Sequence, residues 1–152
     1  MIRRLTVSVV AVGAVAVVWA GSATGLSGSQ RFSISGTDTG GSVYASGPIS
    51  GSGRDKVLGP NADKFTFAKG SVLVSHHATS QNQSFDPRTC LGQFTESGTY
   101  SLSSGTGAYK GVTGSGTYSA RGTTRQQRTA SGCVGKPTSR YFVKASGWTK
   151  LP

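Results

Sequence analysis

Beyond residue 30, apolar and aromatic residues recur at every second position in short runs separated by Gly, Ser, Asn, Asp or Pro. The runs are "RFSISG", "SVYASGPIS", "KFTFAKG", "SVLVSHHAT", "GQFTESGTYSL", "GSGTYSARG" and "RYFVKASGWTK". A two-residue period interrupted by turn residues predicts antiparallel β-strands. No stretch supports a helix of ordinary length, because Ala, Leu, Glu and Lys are sparse while Gly, Ser and Thr dominate. Such a composition also suits disorder, but the paired apolar positions Phe65 and Phe67, Val72 and Val74, and Tyr100 and Leu102 argue for strands with a buried face. The expected fold is all-β: one antiparallel meander closing into a barrel over residues 31–152.

The first thirty residues read differently. Arg3 and Arg4 precede an apolar run from Val7 to Ala20, broken only by Ser8 and Gly13 and followed by small residues. This is the pattern of a secretory signal peptide, residues 1–20, with cleavage after Ala20 or Ala23. The run is short for a membrane-spanning helix, so the expectation is an extracellular protein with no membrane span once the signal is removed; an uncleaved anchor is the alternative. Residues 21–30 are Gly/Ser-rich and read as a flexible leader.

Charge narrows the choice of partners. The chain of 152 residues has 16 Lys and Arg against 5 Asp and Glu, a net charge of +11. Without Arg3 and Arg4 it carries 14 basic side chains against 5 acidic ones, a net +9. Such a surface attracts anionic partners, for example an anionic polymer or cell-surface component. The basic residues are scattered except in "ARGTTRQQR", where Arg121, Arg125 and Arg128 form a candidate polyanion-binding set. On a strand, Arg121 and Arg125 share a face with Thr123 while Arg128 points the other way. The segment lacks aromatic residues for base stacking, so no specific nucleic-acid binding is expected.

Cys90 and Cys133 are the only cysteines, and an even pair in an exported chain predicts a disulfide. A bridge closing about 43 residues stabilises by roughly 3–4 kcal/mol in the chain-entropy model. No metal site is expected, because neither cysteine has a second one at clamp spacing and the adjacent His76 and His77 point to opposite faces of a strand.

The stretch "SSGTGAYKGVTGSGTYSA", Ser103 to Ala120, invites comparison with phosphate-binding loops. A dinucleotide fingerprint needs a following helix, and here "TYSARGT" is strand-like; a P-loop needs Gly-Lys-Ser/Thr, and Lys110 is followed by Gly111. Glycines at this density within strands permit bulges, sharp coiling and close backbone approach instead. The run "GTGAYKGVTGSG", preceded by "GTYSLSSG", resembles the glycine-rich motif of the allene oxide cyclase and dirigent protein superfamily. With "GPISGSG" and "KFTFAKGSVLVSH", the match over about Ser42 to Arg121 is similar to small exported actinobacterial proteins of unassigned function. The resemblance implies an antiparallel barrel of eight strands whose interior holds an apolar small molecule, with an isomerase or cyclase activity in some members. Only the glycine motif carries over residue by residue; the disulfide and the strong basic charge depart from the family pattern.

Candidate chemistry centres on Glu96, the only glutamate. On its strand it shares a face with Phe94, Tyr100 and Leu102, which places a carboxylate among inward aromatics. Val72, Val74 and His76 likewise share a face, making His76 a candidate partner for Glu96, either as an acid–base pair or as a plain structural one. Phe94, Glu96, Tyr100 and His76 are therefore the candidate ligand-binding residues, and Glu96 and His76 the candidate catalytic ones. Asp38, Asp55, Asp63 and Asp86 lie in or beside turn-like segments and read as turn residues with no calcium-loop spacing. No serine sits in a nucleophile elbow. Tyr109, Tyr118, Tyr141, Phe142 and Trp148 supply aromatic surface for a core or a pocket. The leading functional expectation is non-catalytic binding of a small apolar or amphipathic molecule, with no cofactor. An isomerase or cyclase and a polyanion-binding surface protein are the alternatives.

Overall fold

The computed structural model describes residues 25–152, so the expected signal peptide and its cleavage positions lie outside the described residues. Eight strands follow in chain order: β1 (Ser27–Thr37), β2 (Gly40–Ser46), β3 (Gly51–Gly59), β4 (Ala62–Phe67), β5 (Gly70–Asp86), β6 (Leu91–Ser103), β7 (Thr113–Thr129) and β8 (Gly132–Lys150). Each pairs antiparallel with the next, and β8 pairs back onto β1 from Ser27 opposite Lys150 to Thr37 opposite Arg140, closing the barrel. Closure leaves no free sheet edge along the paired length. The all-β single-barrel expectation holds. The only helical element among the described residues is the 3-10 turn Gly107–Tyr109.

Alternation sets the core. Phe32 and Ile34 on β1, Val43 and Ala45 on β2, Phe65 and Phe67 on β4, Val72 and Val74 on β5, and Tyr100 and Leu102 on β6 all point inward and are buried. The residues between them, Ser33, Tyr44, Thr66 and Ser101, face solvent, and Leu73 is half-buried. Phe32 packs against Phe65 and, edge-on, against Tyr100, with ring centroids 5.4 and 6.0 Å apart. One end of the barrel is plugged by the glycine-rich loop after β6, which lays Tyr109 and Val112 over the core; the Tyr109 ring meets Phe67 edge-on at 5.9 Å. Glycine is required where β7 and β8 nearly touch: Gly116 and Gly147 are paired, and a Cβ on either would meet the other's Cα at 2.7 Å. The motif thus supplies the close backbone approach that its sequence suggests and, in addition, a plug.

Two segments differ from the sequence reading. Ser27 to Gln30, assigned by composition to a flexible leader, form the start of β1. The fixing residue is Gln30, fully buried, whose Nε2 donates to the carbonyls of Arg31, Ser46 and Ile49 at 3.1, 3.1 and 2.9 Å. Its Oε1 accepts the Ile49 N–H at 2.9 Å, tying β1 to the β2–β3 loop. The second is β3, a strand that the alternation misses because only Val57 among its inward residues is apolar.

Strands β5 to β8 run on past the barrel wall as a four-stranded extension, with β5 and β6 paired as far as Asp86 and Leu91, and β7 and β8 as far as Thr129 and Gly132. The expected disulfide joins Cys90, in the β5–β6 turn, to Cys133 on β8, with Cα atoms 5.5 Å apart. It clasps the two hairpins at their tips. Asp86 closes the β5–β6 turn, accepting the Arg88 N–H at 2.8 Å and the Thr89 hydroxyl at 2.9 Å, which holds its carboxyl below the usual range.

Candidate functional site

Opposite the plugged end, the barrel interior opens into a cavity of about 210 Å3. Its floor is apolar: Phe32, Ile34, Phe65 and Val74 from β1, β4 and β5. Above them the same inward alternation brings in polar groups from successive strands. Asp55 comes from β3, Asp63 from β4, His76 from β5, Glu96 and Tyr100 from β6, Tyr118 from β7 and Tyr141 from β8. Val57 and Gly59 of β3, Phe94 of β6, Ala120 of β7, and Val143 and Ala145 of β8 complete the wall.

Inward placement of Glu96, His76, Tyr100 and Phe94 matches the face assignment made from sequence, but the pairing does not. His76 Nε2 lies 3.4 Å from Asp63 Oδ2, and its ring stands edge-on to Tyr118 at 5.8 Å. The Asp63 hydrogen bond raises the His76 pKa above the ordinary imidazole value against the opposing effect of burial. Glu96 is bound elsewhere: Tyr118 donates its hydroxyl to Oε1 at 2.5 Å and Gln81 donates Nε2 to Oε2 at 2.6 Å. Burial first, and the Glu96 contact second, push the Tyr118 phenol well above its usual value, which keeps it a donor. Room for its ring comes from Gly98 opposite: a Cβ there would meet a Tyr118 ring carbon at 2.8 Å.

Asp55 and Asp63 correct the reading of all four aspartates as turn residues. They stand within strands, on the inward face, while Asp38 occupies a turn and Asp86 ends β5 beside one. Asp55 is 6% exposed; Tyr141 donates to its Oδ2 at 2.9 Å, and its Oδ1 has no partner. Desolvation, reinforced by the nearby Asp63 charge, raises its carboxyl to about 6. The Tyr100 hydroxyl is likewise buried without a partner, and burial lifts its phenol to about 12. Polar groups sealed from water are nearly always paired, so an unpaired carboxylate oxygen and an unpaired hydroxyl on two residues that line one cavity mark where a guest or ordered water would bond. The signal for these residues was present in "DKFTF", where Asp63, Phe65 and Phe67 share a face; for Asp55 no apolar alternation surrounds it.

The remaining aromatics divide between core and surface. Tyr109 is core, whereas Phe142 faces outward and Trp148 is well exposed. Arg121, Arg125 and Arg128 are all exposed on β7, and Arg121 lies over the Phe142 ring at 5.7 Å, with Lys144 on the same ring at 5.9 Å. Arg128 instead donates to the Pro87 carbonyl at 3.4 Å, beside the disulfide. Among the described residues no group of His, Cys, Asp or Glu is arranged to hold a metal ion, and no helix is long and apolar enough to cross a membrane. No protein-family model, no curated protein and no solved structure matches the chain.

Proposed function

We propose that this is a secreted, non-catalytic barrel of the allene oxide cyclase-like type that takes a small amphipathic molecule into its open end. The observation that carries the reading is the pair of buried, unpartnered oxygens, Asp55 Oδ1 and the Tyr100 hydroxyl, over an apolar floor. Apolar lining with a few convergent polar groups is the usual make-up of a small-molecule site. A volume of about 210 Å3 corresponds to roughly seven waters of liquid volume, which suits a compact guest. The Cys90–Cys133 bond suits an oxidising compartment.

An acid–base role for Glu96 with His76 is the weaker reading, since each has its own partner in Tyr118 and Asp63. The polyanion reading draws on a different surface, where Arg121 and Lys144 flank Phe142 in a shallow groove that also includes Ser119 and Thr95. Salt separates the two, because polyanion retention falls steeply between low and moderate ionic strength and uptake of a small guest into a buried site does not.

The site reading is tested by a small-molecule screen followed through the amide and methyl resonances of Val74, Tyr100 and Ala145. Binding should shift them and should be lost in Ala145→Phe, which fills the chamber. Binding unaffected by that substitution would place the guest elsewhere.

A further inference from the structure

The charge of the cavity is opposite to that of the molecule. Three of the chain's five acidic side chains, Asp55, Asp63 and Glu96, line it, and none of the fourteen lysines and arginines among the described residues does. Strands β1 and β2 contribute no ionisable group, and the only basic one from the other strands is His76, which is already engaged with Asp63. Three carboxyl groups therefore face one imidazole.

One oxygen of these carboxyls is differently placed. Both Glu96 oxygens accept hydrogen bonds from Tyr118 and Gln81, and Asp55 Oδ2 accepts from Tyr141. Asp55 Oδ1 is left over, on a side chain 6% exposed, with no donor from the protein. The wall of the same cavity carries aromatic residues from five strands, among them Phe32, Phe65, Tyr100, Tyr118 and Tyr141. Carboxylate oxygens combined with aromatic rings are the chemistry that recognises an organic ammonium, by charge-assisted hydrogen bonds and by attraction to the ring quadrupole. A carboxylate or phosphate guest would instead meet three acids with no arginine or lysine to receive it.

We infer that the guest is an organic cation, an amine with a compact apolar or aromatic body, whose ammonium bonds to Asp55 Oδ1 while the body rests on Phe32, Ile34 and Val74. The inference rests on the small-molecule binding proposed above and adds the sign of the guest's charge. The basic exterior then works against capture by long-range attraction, so selectivity comes from the chamber and not from the outer field. Binding of the ammonium draws Asp55 into its ionised form and releases its proton to solvent.

The test compares matched probes on the disulfide-bonded protein by calorimetry: 2-phenylethylammonium and hexylammonium against 2-phenylethanol and hexanol. At pH 7.5 each ammonium should bind about tenfold or more tightly than its alcohol. The advantage should shrink towards pH 5 as Asp55 takes up its proton, and near pH 6 the ammonium enthalpy should vary with the ionisation enthalpy of the buffer. Asp55→Asn keeps an acceptor for Tyr141 and should reduce the advantage to about threefold or less; Glu96→Gln, a second variant of unchanged shape, should reduce it partially. Equal affinity for amine and alcohol would overturn the cationic guest and leave the binding site standing. Failure of all four probes, with the cavity resonances unmoved, would remove both.

Discussion

The Tyr141 hydroxyl on β8 bonds to Asp55 Oδ2 on β3 at 2.9 Å, across the barrel interior and between strands 86 residues apart in sequence. The bond anchors a carboxyl that the barrel otherwise disfavours. Its pKa is raised from 3.8 to about 6 by burial, so the folded state prefers it neutral. The sign follows: well below 3.8 Asp55 is protonated in both states and costs nothing, between 3.8 and about 6 the unfolded chain ionises first and the cost builds up, and above about 6 it is present in full. The cost at neutral pH is on the order of 3 kcal/mol. Asp55→Asn should therefore stabilise the protein at pH 7.5 by about 1–3 kcal/mol and have little effect at pH 4, as read by urea denaturation at both. A variant more stable than wild type at pH 4, or less stable at pH 7.5, would contradict this.

His76 shows the opposite sign. Its folded pKa is raised, chiefly by the Asp63 hydrogen bond, so its contribution to stability is present below 6.5 and disappears as pH rises through the folded value. Imidazole resonances should place its midpoint above 6.5, and Asp63→Asn should bring that midpoint down.

Gln30 makes four hydrogen bonds from a fully buried side chain. Gln30→Ala strands the Ile49 N–H and carbonyl and leaves a void, and should cost about 2–4 kcal/mol. Amide exchange at Ile49 should accelerate with it, whereas a surface change such as Ser33→Ala should leave that amide protected.

The disulfide closes a loop of 43 residues, and its loss in Cys90→Ser with Cys133→Ser should cost about 3–4 kcal/mol. Hydrogen exchange should loosen first at the tips, in Asn82 to Phe85 and Arg125 to Thr129, while Val72 and Phe32 in the plugged core keep their protection.

Much of this architecture was legible where inward positions are apolar. Phe65 and Phe67, Val72 and Val74, and Tyr100 and Leu102 gave β4, β5 and β6 their face, and carried His76 and Glu96 to the inside with them. Where the barrel turns polar, alternation loses its contrast: β3 places Gly53, Asp55, Val57 and Gly59 inward, and nothing in "GSGRDKVLG" separates them from a loop. Gln30 was hidden in the same way, because a Gly/Ser-rich stretch reads as mobile until its one long amide finds four partners at 2.9 to 3.1 Å. The pairs Glu96–Tyr118 and His76–Asp63 depend on which strands meet around a closed barrel, a relationship that periodicity along one strand does not contain.

The measurement closest to the central claim is a nuclear Overhauser map between a bound amphipathic probe, 2-phenylethylammonium, and the methyl-labelled protein. The chamber predicts contacts from the probe's ring to the methyls of Ile34, Val74 and Ala145, with the Asp55 carboxyl carbon shifting as the ammonium end arrives. Contacts confined to the outer face, around Phe142 and Trp148, would contradict a guest inside the barrel.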